Sequence, residues 1–345
     1  MSRTILWASL ALTPITLVVR YGFGVEGTAS FVLAAAALAP LAFLIGEATE
    51  NAAEHTGPGI GGFLNASFGN APELIIALLA IADGLPAVVR GSITGSVVSA
   101  LLLVLGGALA VGPKERVGRG SLVLQLGLIA VAVLLFLIPS VPSWHGDPER
   151  HSLYVVTIPV AVVLLAVYAA VIFVNLRRHA AAHSSPPAEE AWSMKRAIAV
   201  LAAATIATAL VSEVLVNTLD AFGEALGLSQ FFVAAVIVAL VGNAAEHGGA
   251  LVTARRGNQP LAAEIAVSSA AQVAVLVAPA IALLSVLVGP ALPLSFRPIE
   301  LATMGGSALA VAVIVADRRG TRREGAVLIA LYALAATSFY VAGDR

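Results

Sequence analysis

Long apolar runs fill most of this chain and leave few positions for charged residues. Of the 345 residues, 59% are hydrophobic and 11% are charged, and the mean hydropathy is +0.96. A soluble domain carries roughly a quarter charged residues, because its surface must face water. This chain must instead present most of its surface to an apolar medium. The sequence therefore predicts an integral membrane protein.

Spans of about 20 apolar residues, each long enough to cross a bilayer, follow one another along the chain. Inside lipid, backbone polar groups must be satisfied within the segment, so we expect each span to be a helix. The first span shows no convincing cleavage site after it, and we count it as a retained helix. The prediction is an all-α polytopic membrane protein with eleven transmembrane helices near 4–22, 29–53, 60–82, 86–112, 119–141, 152–177, 194–218, 229–254, 259–289, 298–316 and 325–342.

The basic residues are distributed unequally between the two sides of this predicted topology. Fourteen of the 19 Lys and Arg residues fall on one side, and no loop on the other side carries more than one. The positive-inside rule therefore places the N-terminus in the cytoplasm and the C-terminus outside. Short loops favour a prokaryotic inner (plasma) membrane.

The composition of the chain also excludes some kinds of binding site. The chain has no cysteine, so disulfides and thiolate metal sites are excluded. No basic patch interleaved with aromatic residues indicates a nucleic-acid partner. The expected surroundings are the lipid bilayer, and the sequence leaves open whether copies of the chain form a homo-oligomer.

Two short motifs repeat at a fixed distance. Residues 69–73 read Gly-Asn-Ala-Pro-Glu and residues 242–246 read Gly-Asn-Ala-Ala-Glu, an offset of 173 (246 − 73). In the span that follows each motif, the same offset relates Ser96 to Ser269 and Ser99 to Gln272. Matched polar positions in apolar sequence indicate two copies of one five-helix unit. Because five is odd, the second copy must enter the membrane from the opposite side, which makes an inverted repeat.

The repeat predicts four parts of the chain. They are an extra N-terminal transmembrane helix at 1–28, a first five-helix repeat at 29–178, a cytoplasmic linker at 179–193 and a second five-helix repeat at 194–345. The glycines and proline of the two motifs are poor residues for the middle of a helix. We therefore expect a kink or a break at each motif, which would free backbone carbonyls as ligands.

Glu73 and Glu246 are the strongest candidates for function. A carboxylate inside a bilayer costs several kcal/mol unless it is paired, protonated or coordinated. Asn70 and Asn243 stand three residues before them, on the same helix face. Each motif thus offers a carboxylate and an amide oxygen, although structural hydrogen bonding and interhelical contacts are alternative roles.

The other polar positions of the repeat would enlarge this ligand set. Ser99 and Gln272 add oxygen from the neighbouring helices, whereas Ser96 and Ser269 fit close packing as well as ligation. A set of oxygens with two negative charges suits Ca²⁺. Two neighbouring carboxylates repel each other, so an empty site would take up protons. Such a site predicts exchange of Ca²⁺ for protons, with Ca²⁺ as a transported substrate and no cofactor.

Further acidic residues could form a path for the cation. Glu50 and Glu54 end the second span, and Glu213 lies within the seventh. His247 follows Glu246 and could relay protons. A solvated helix end, or a histidine that is simply a hydrogen-bonded neighbour, would explain the same residues.

Residues 61–75, and residues 242–247 followed by 272–279, resemble the two signatures of the calcium/proton exchanger (CAX) family, part of the calcium/cation antiporter superfamily. The resemblance implies a secondary transporter rather than an enzyme. It implies an extra helix beside two inverted five-helix repeats, and alternating access by sliding of peripheral helices. It also implies roles for particular residues: cation binding by Glu73, Glu246, Asn70, Asn243, Ser99 and Gln272, and a cation path along Glu50, Glu54 and Glu213.

This sequence departs from the family pattern at two places. Ala100 stands where the family usually has Asn, and the linker keeps only Glu189 and Glu190 of an often acidic segment. Three alternatives remain: an antiporter that uses Na⁺ or K⁺, an intramembrane enzyme acting on a lipid pyrophosphate, and a passive channel. The enzyme would need Arg or Lys beside a phosphate, whereas here the basic residues sit in loops and at helix ends.

Overall fold

The computed structural model describes residues 7–56, 64, 67–113, 119–179, 192–316 and 320–344. Within these residues every regular element is a helix, which confirms the all-α prediction. In chain order the helices are α1 (Leu12–Leu17), α2 (Thr28–Glu54), α3 (Ala71–Ala82), α4 (Pro86–Val111), α5 (Arg119–Ser143), α6 (His151–His179), α7 (Met194–Leu226), α8 (Gln230–Gly242), α9 (Ala244–Arg255), α10 (Gln259–Val288), α11 (Pro298–Ala316) and α12 (Arg322–Ala342).

Eight of the described helices are long and apolar enough to cross a membrane. A ninth span arises if α8 and α9, which meet at a bend of 61°, are counted together. The predicted spans 4–22 and 60–82 lie partly outside the described residues, as does most of the predicted linker 179–193. The chain is therefore an integral membrane protein with at least these spans, and the total of eleven stays a prediction.

Polar residues set helix ends in this apolar chain. The Asn258 side chain accepts a hydrogen bond from the Leu261 N–H at 3.1 Å, which caps α10. Gly257 precedes it with φ of 93°, a conformation that glycine adopts without strain. Thr321 and Glu324 form a reciprocal capping box at the start of α12. These caps satisfy N–H groups that a helix cannot satisfy itself.

Spatial contacts divide the chain into two compact units. Unit 1 contains Met1–Leu79, Ala166–Leu226 and Val241–Ala245, and unit 2 contains Ala80–Leu165, Gly227–Leu240 and Glu246–Arg345. Each of these units combines segments from both predicted repeats. The units group residues that are close in space, whereas the repeats divide the chain by its order, so the units do not test the predicted repeats.

In unit 1, α2 packs along α7. The rings of Phe31 and Phe222 stack with their centroids 4.1 Å apart. At the other end of α2, the Asn51 side chain accepts a hydrogen bond from the Trp192 N–H at 2.8 Å, and His55 Nε2 lies 2.7 Å from the Trp192 carbonyl oxygen. Helix α7 runs to Leu226, beyond the predicted end at 218, because residues such as Phe222 keep burying surface against α2.

In unit 2, α4 is the most deeply buried of the long helices. Gly91 and Gly95 form its contact face toward α8, and a Cβ placed on Gly95 would lie 1.9 Å from the Ala235 carbonyl oxygen. Further along α4, a Cβ on Gly325 of α12 would lie 2.5 Å from the Gly106 carbonyl oxygen. Glycines let helix backbones approach closely in a membrane, where close packing drives association.

Two of these helices change their winding at corresponding places. In α4 a π-helical segment runs Ser99–Val104, and in α10 one runs Val273–Val277. Their ends differ by 173 residues (277 − 104), the offset that relates the two motifs. Short π-helical segments inside α-helices are frequent at functional sites, and each segment here begins at or directly after a predicted ligand, Ser99 or Gln272.

Candidate cation site

The first motif places its glutamate at the start of a helix. Glu73 lies in the first turn of α3, and the Asn70 carbonyl oxygen accepts the first helical hydrogen bond, from the Leu74 N–H at 3.1 Å. Glu73 is 5% exposed and Asn70 is 2% exposed. Partial positive charge at a helix N-terminus stabilises a nearby carboxylate. The first-turn position of Glu73 therefore helps to hold a negative charge in an apolar region.

Within unit 1, the Glu73 side chain packs against the beginning of the second motif. A Cβ placed on Gly242 would lie 3.4 Å from Glu73 Cγ and 3.8 Å from Glu73 Oε1. Asn243, next in the chain, is 1% exposed. The structure thus brings Glu73 of the first motif together with Gly242, which is 169 residues away in sequence (242 − 73).

The second motif has the same local design. Helix α8 ends at Gly242, the chain bends by 61°, and Glu246 lies in the first turn of α9. Glu246 as a residue is partly accessible, but its Oε2 is buried and accepts no hydrogen bond from the described part of the chain. Ser269, on α10 in unit 2, is 3% exposed, and its hydroxyl has no hydrogen-bond partner among the described residues. The break expected at the second motif is confirmed.

The two predicted auxiliary ligands are both engaged by near neighbours in unit 2. Ser99 is fully buried, and its hydroxyl donates a hydrogen bond to the Ser96 carbonyl oxygen at 3.3 Å. The Gln272 amide nitrogen donates one to the Ser268 hydroxyl at 3.1 Å. No sequence signal identifies Ser268, because it lies outside the repeated positions in a run of small residues.

The predicted path residues occupy different environments. Glu50 and Glu54 are exposed at the end of α2, and Glu213 is exposed on α7. His247 is buried, and its Nε2 has no hydrogen-bond partner among the described residues. The exposed glutamates fit a solvated surface as well as a path, so their assignment stays a prediction.

The described residues contain no group of three or more His, Cys, Asp and Glu side chains that could hold a metal ion. The predicted ligand side chains of the two motifs and their neighbouring helices are two carboxylates together with neutral amide and hydroxyl oxygens. Such a set is typical of Ca²⁺, which accepts carbonyl and amide oxygens at flexible geometry.

Known proteins are similar to this chain in sequence and in fold over nearly their whole length. The Ca(2+)/H(+) antiporter ChaA of Bacillus subtilis (strain 168) is 38% identical over 314 residues, covering 87% of this chain and 89% of that protein. The Ca(2+)/H(+) antiporter of Aphanothece halophytica is 33% identical over 364 residues, covering 98% and 96%. The solved structure of native YfkE matches with a TM-score of 0.83 and 33% identity, covering 98% of this chain and 99% of that one.

Residues 26–177 and 196–341 match the family described as sodium/calcium exchanger protein. The two matched segments contain both Gly-Asn motifs and leave out the first span and the linker. This coverage exceeds half of the chain, and the motifs that define the candidate site lie inside it. The chain is therefore a member of the sodium/calcium exchanger protein family.

Proposed function

We propose that this protein is a secondary active antiporter that exchanges Ca²⁺ for protons across a membrane by alternating access. Glu73 and Glu246 bind either Ca²⁺ or protons, aided by Asn70, Asn243, Ser99 and Gln272. The observation that carries the proposal is the Glu73 side chain, buried in a helix N-terminal turn and packed against Gly242 of the second motif. Relatives at 38% and 33% identity that are named Ca(2+)/H(+) antiporters support the choice of ions.

Charge balance explains the exchange. A carboxylate in an apolar region needs a counter-charge, and either a bound divalent cation or a proton supplies it. The state in which both glutamates are charged and the site is empty is costly. The site therefore reorients from one side of the membrane to the other only when Ca²⁺ or protons are bound. This condition couples the movement of the two ions and produces antiport.

The architecture that we propose for this cycle has eleven helices, with an extra first helix beside two inverted five-helix repeats at 29–178 and 194–345. The matched π-helical segments of α4 and α10 support the repeat, as do the first-turn positions of both glutamates. The N-terminus lies in the cytoplasm of a prokaryotic cell, and Glu50, Glu54, Glu213 and His247 line the route of the ions.

Transport by the purified protein in liposomes tests the proposal. Liposomes acidic inside and free of Na⁺ should take up Ca²⁺ when the external pH is raised, because protons leave as Ca²⁺ enters. A Na⁺ gradient at equal pH should drive no uptake. Uptake that needs Na⁺ would instead identify a sodium-coupled exchanger, and uptake without any gradient dependence would identify a channel.

Site variants complete the test. Glu73→Gln and Glu246→Gln keep size and polarity but remove the charge that binds Ca²⁺, so each should abolish exchange. Glu224→Gln is the matched control, because Glu224 is an exposed acid near the end of α7 and lies outside both motifs. Exchange at the native rate by either motif variant would overturn the site assignment.

A further inference from the structure

A groove runs between α5 and α11 on the surface of unit 2. Its cavity volume is about 530 Å³, and its lining is almost entirely apolar. Its lining includes the small residues Gly127, Ala130 and Ala312, together with Leu134 and Leu309, which have 63% and 66% of their surface exposed. We call this surface the α5–α11 groove.

The groove occupies only one end of the two helices. On α5 it extends from Val123 to Leu134 and on α11 from Gly305 to Ala316. Eleven residues of helix rise about 17 Å. The hydrocarbon core of a bilayer is about 30 Å thick, so the groove matches the depth of a single leaflet. A single acyl chain of a lipid has this length and this chemistry.

The same end of the helices is strongly basic. The connections at 112–119 and 317–324 contain seven Lys and Arg and three Asp and Glu. Among the described residues, Arg322 and Arg323 are exposed and line a second cavity of about 760 Å³ together with Gly112 and Pro113. Neither arginine forms an ion pair with a described residue.

The nearest acid on α12 is already engaged. Glu324 accepts hydrogen bonds from the Thr321 N–H at 2.7 Å and from the Thr321 hydroxyl at 2.8 Å. Its charge therefore serves the helix cap, and it forms no ion pair with either guanidinium group. Clusters of four to eight Lys and Arg directly beside a transmembrane helix are typical of sites for anionic lipids.

We propose that the α5–α11 groove binds one acyl chain of an anionic phospholipid whose phosphate group is held by Arg322 and Arg323. The apolar groove lies near the start of α5 and the end of α11, and the cationic cavity is lined by residues of the connections at these helix ends. A phospholipid could place its acyl chain in the groove and its anionic phosphate in the cavity. A second copy of this chain would fill the groove but would not explain the two exposed arginines beside it. Free phosphate would explain the arginines but not the groove.

Native mass spectrometry of the purified protein tests this site without any transport assay. The protein is titrated with phosphatidylglycerol and, separately, with phosphatidylcholine of the same acyl chains. Phosphatidylglycerol should bind more tightly, because only its net charge is negative. Removing both charges in Arg322→Gln/Arg323→Gln should weaken phosphatidylglycerol binding by about 25-fold, at about fivefold for each arginine, and leave phosphatidylcholine unchanged.

Filling the groove tests the other half of the proposal. Gly127→Leu places a side chain where a Cβ meets no atom within 4 Å, so the variant should fold and should lose affinity for both lipids. Val131→Leu on the same helix and Arg255→Gln/Arg256→Gln are matched controls, because these exposed residues line neither cavity. Both controls should bind like the parent protein.

Each of these results would overturn the proposal: equal affinity for the two lipids, unchanged phosphatidylglycerol affinity in the double arginine variant, unchanged lipid affinity in Gly127→Leu, or displacement of the lipid by inorganic phosphate. A change in the mass of the assembly with Gly127→Leu would show that a second copy occupies the groove and would also overturn it.

Discussion

At the scale of single residues, Gly242 is a position where the second motif contacts Glu73 of the first. A Cβ there would make an ordinary contact with Glu73 Cγ at 3.4 Å, but larger side chains would need the space of the carboxylate. Gly242→Ala should therefore keep Ca²⁺ affinity within a few-fold. Gly242→Val should lower it by about 10-fold or more, since such overpacking costs about 1–3 kcal/mol.

Isothermal titration calorimetry with Ca²⁺ checks this expectation. Gly249→Val is the control, because Gly249 lies on α9, the helix that follows Gly242, and a Cβ there meets no atom within 4 Å. Equal Ca²⁺ affinity in Gly242→Val and Gly249→Val would show that displacing Glu73 does not matter for binding.

The sequence identified Glu73, Asn70 and Asn243 because polar residues are conspicuous inside apolar spans. It could not identify Gly242 as the contact of Glu73, since a missing side chain carries no chemical signal and the contact spans 169 residues. It also could not tell whether Glu213, which lies within a predicted span, faces the protein interior, and the structure places this side chain on an exposed face of α7. Which face of a helix is covered depends on tertiary packing rather than on position along the chain.

At the scale of helices, the contact between α4 and α8 depends on Gly95. A Cβ there would lie 1.9 Å from the Ala235 carbonyl oxygen, so Gly95→Ala must push the two backbones apart. We expect a loss of about 1–3 kcal/mol or more, seen as a lower melting temperature of the detergent-solubilised protein. Gly306→Ala, where a Cβ meets nothing within 4 Å, should be neutral or slightly stabilising. Equal melting of the two variants would contradict this packing.

The start of α8 is capped from the far end of the chain. Asp344 accepts hydrogen bonds from the Gln230 N–H at 3.0 Å and the Phe231 N–H at 2.8 Å. Loss of a helix N-cap costs about 0.5–2 kcal/mol, so Asp344→Ala should lower the melting temperature. Glu224→Ala removes an exposed acid without such a role and should melt like the parent protein.

Helix positions were largely predictable, because length and hydropathy are local properties. The predicted span 298–316 coincides with α11, and the break at the second motif follows from its glycine. The π-helical segments at Ser99–Val104 and Val273–Val277 were not predicted, since hydropathy does not report how tightly a helix is wound. The tail of α7 beyond 218 was missed because it is held by packing on α2 and not by lipid.

At the scale of the whole molecule, exchange requires that Ca²⁺ and protons compete for the same oxygens, and this competition should be visible in stability. A ligand that binds only the folded protein at 100 times its dissociation constant stabilises the fold by about 2.7 kcal/mol. At alkaline pH, Ca²⁺ should therefore raise the melting temperature. As the pH falls, protons occupy the carboxylates, the apparent Ca²⁺ affinity decreases, and the Ca²⁺-induced rise should shrink toward zero.

The competition between Ca²⁺ and protons also predicts how site variants and other ions change the melting temperature. Glu73→Gln and Glu246→Gln should each remove the Ca²⁺-induced rise at every pH, because half of the binding charge is gone. Mg²⁺ should give a smaller rise than Ca²⁺ at equal concentration, since it demands a near-ideal octahedron and releases its waters reluctantly. A Ca²⁺-induced rise that is independent of pH, or that survives in both variants, would mean that Ca²⁺ binds elsewhere, and the two motifs would then need another role.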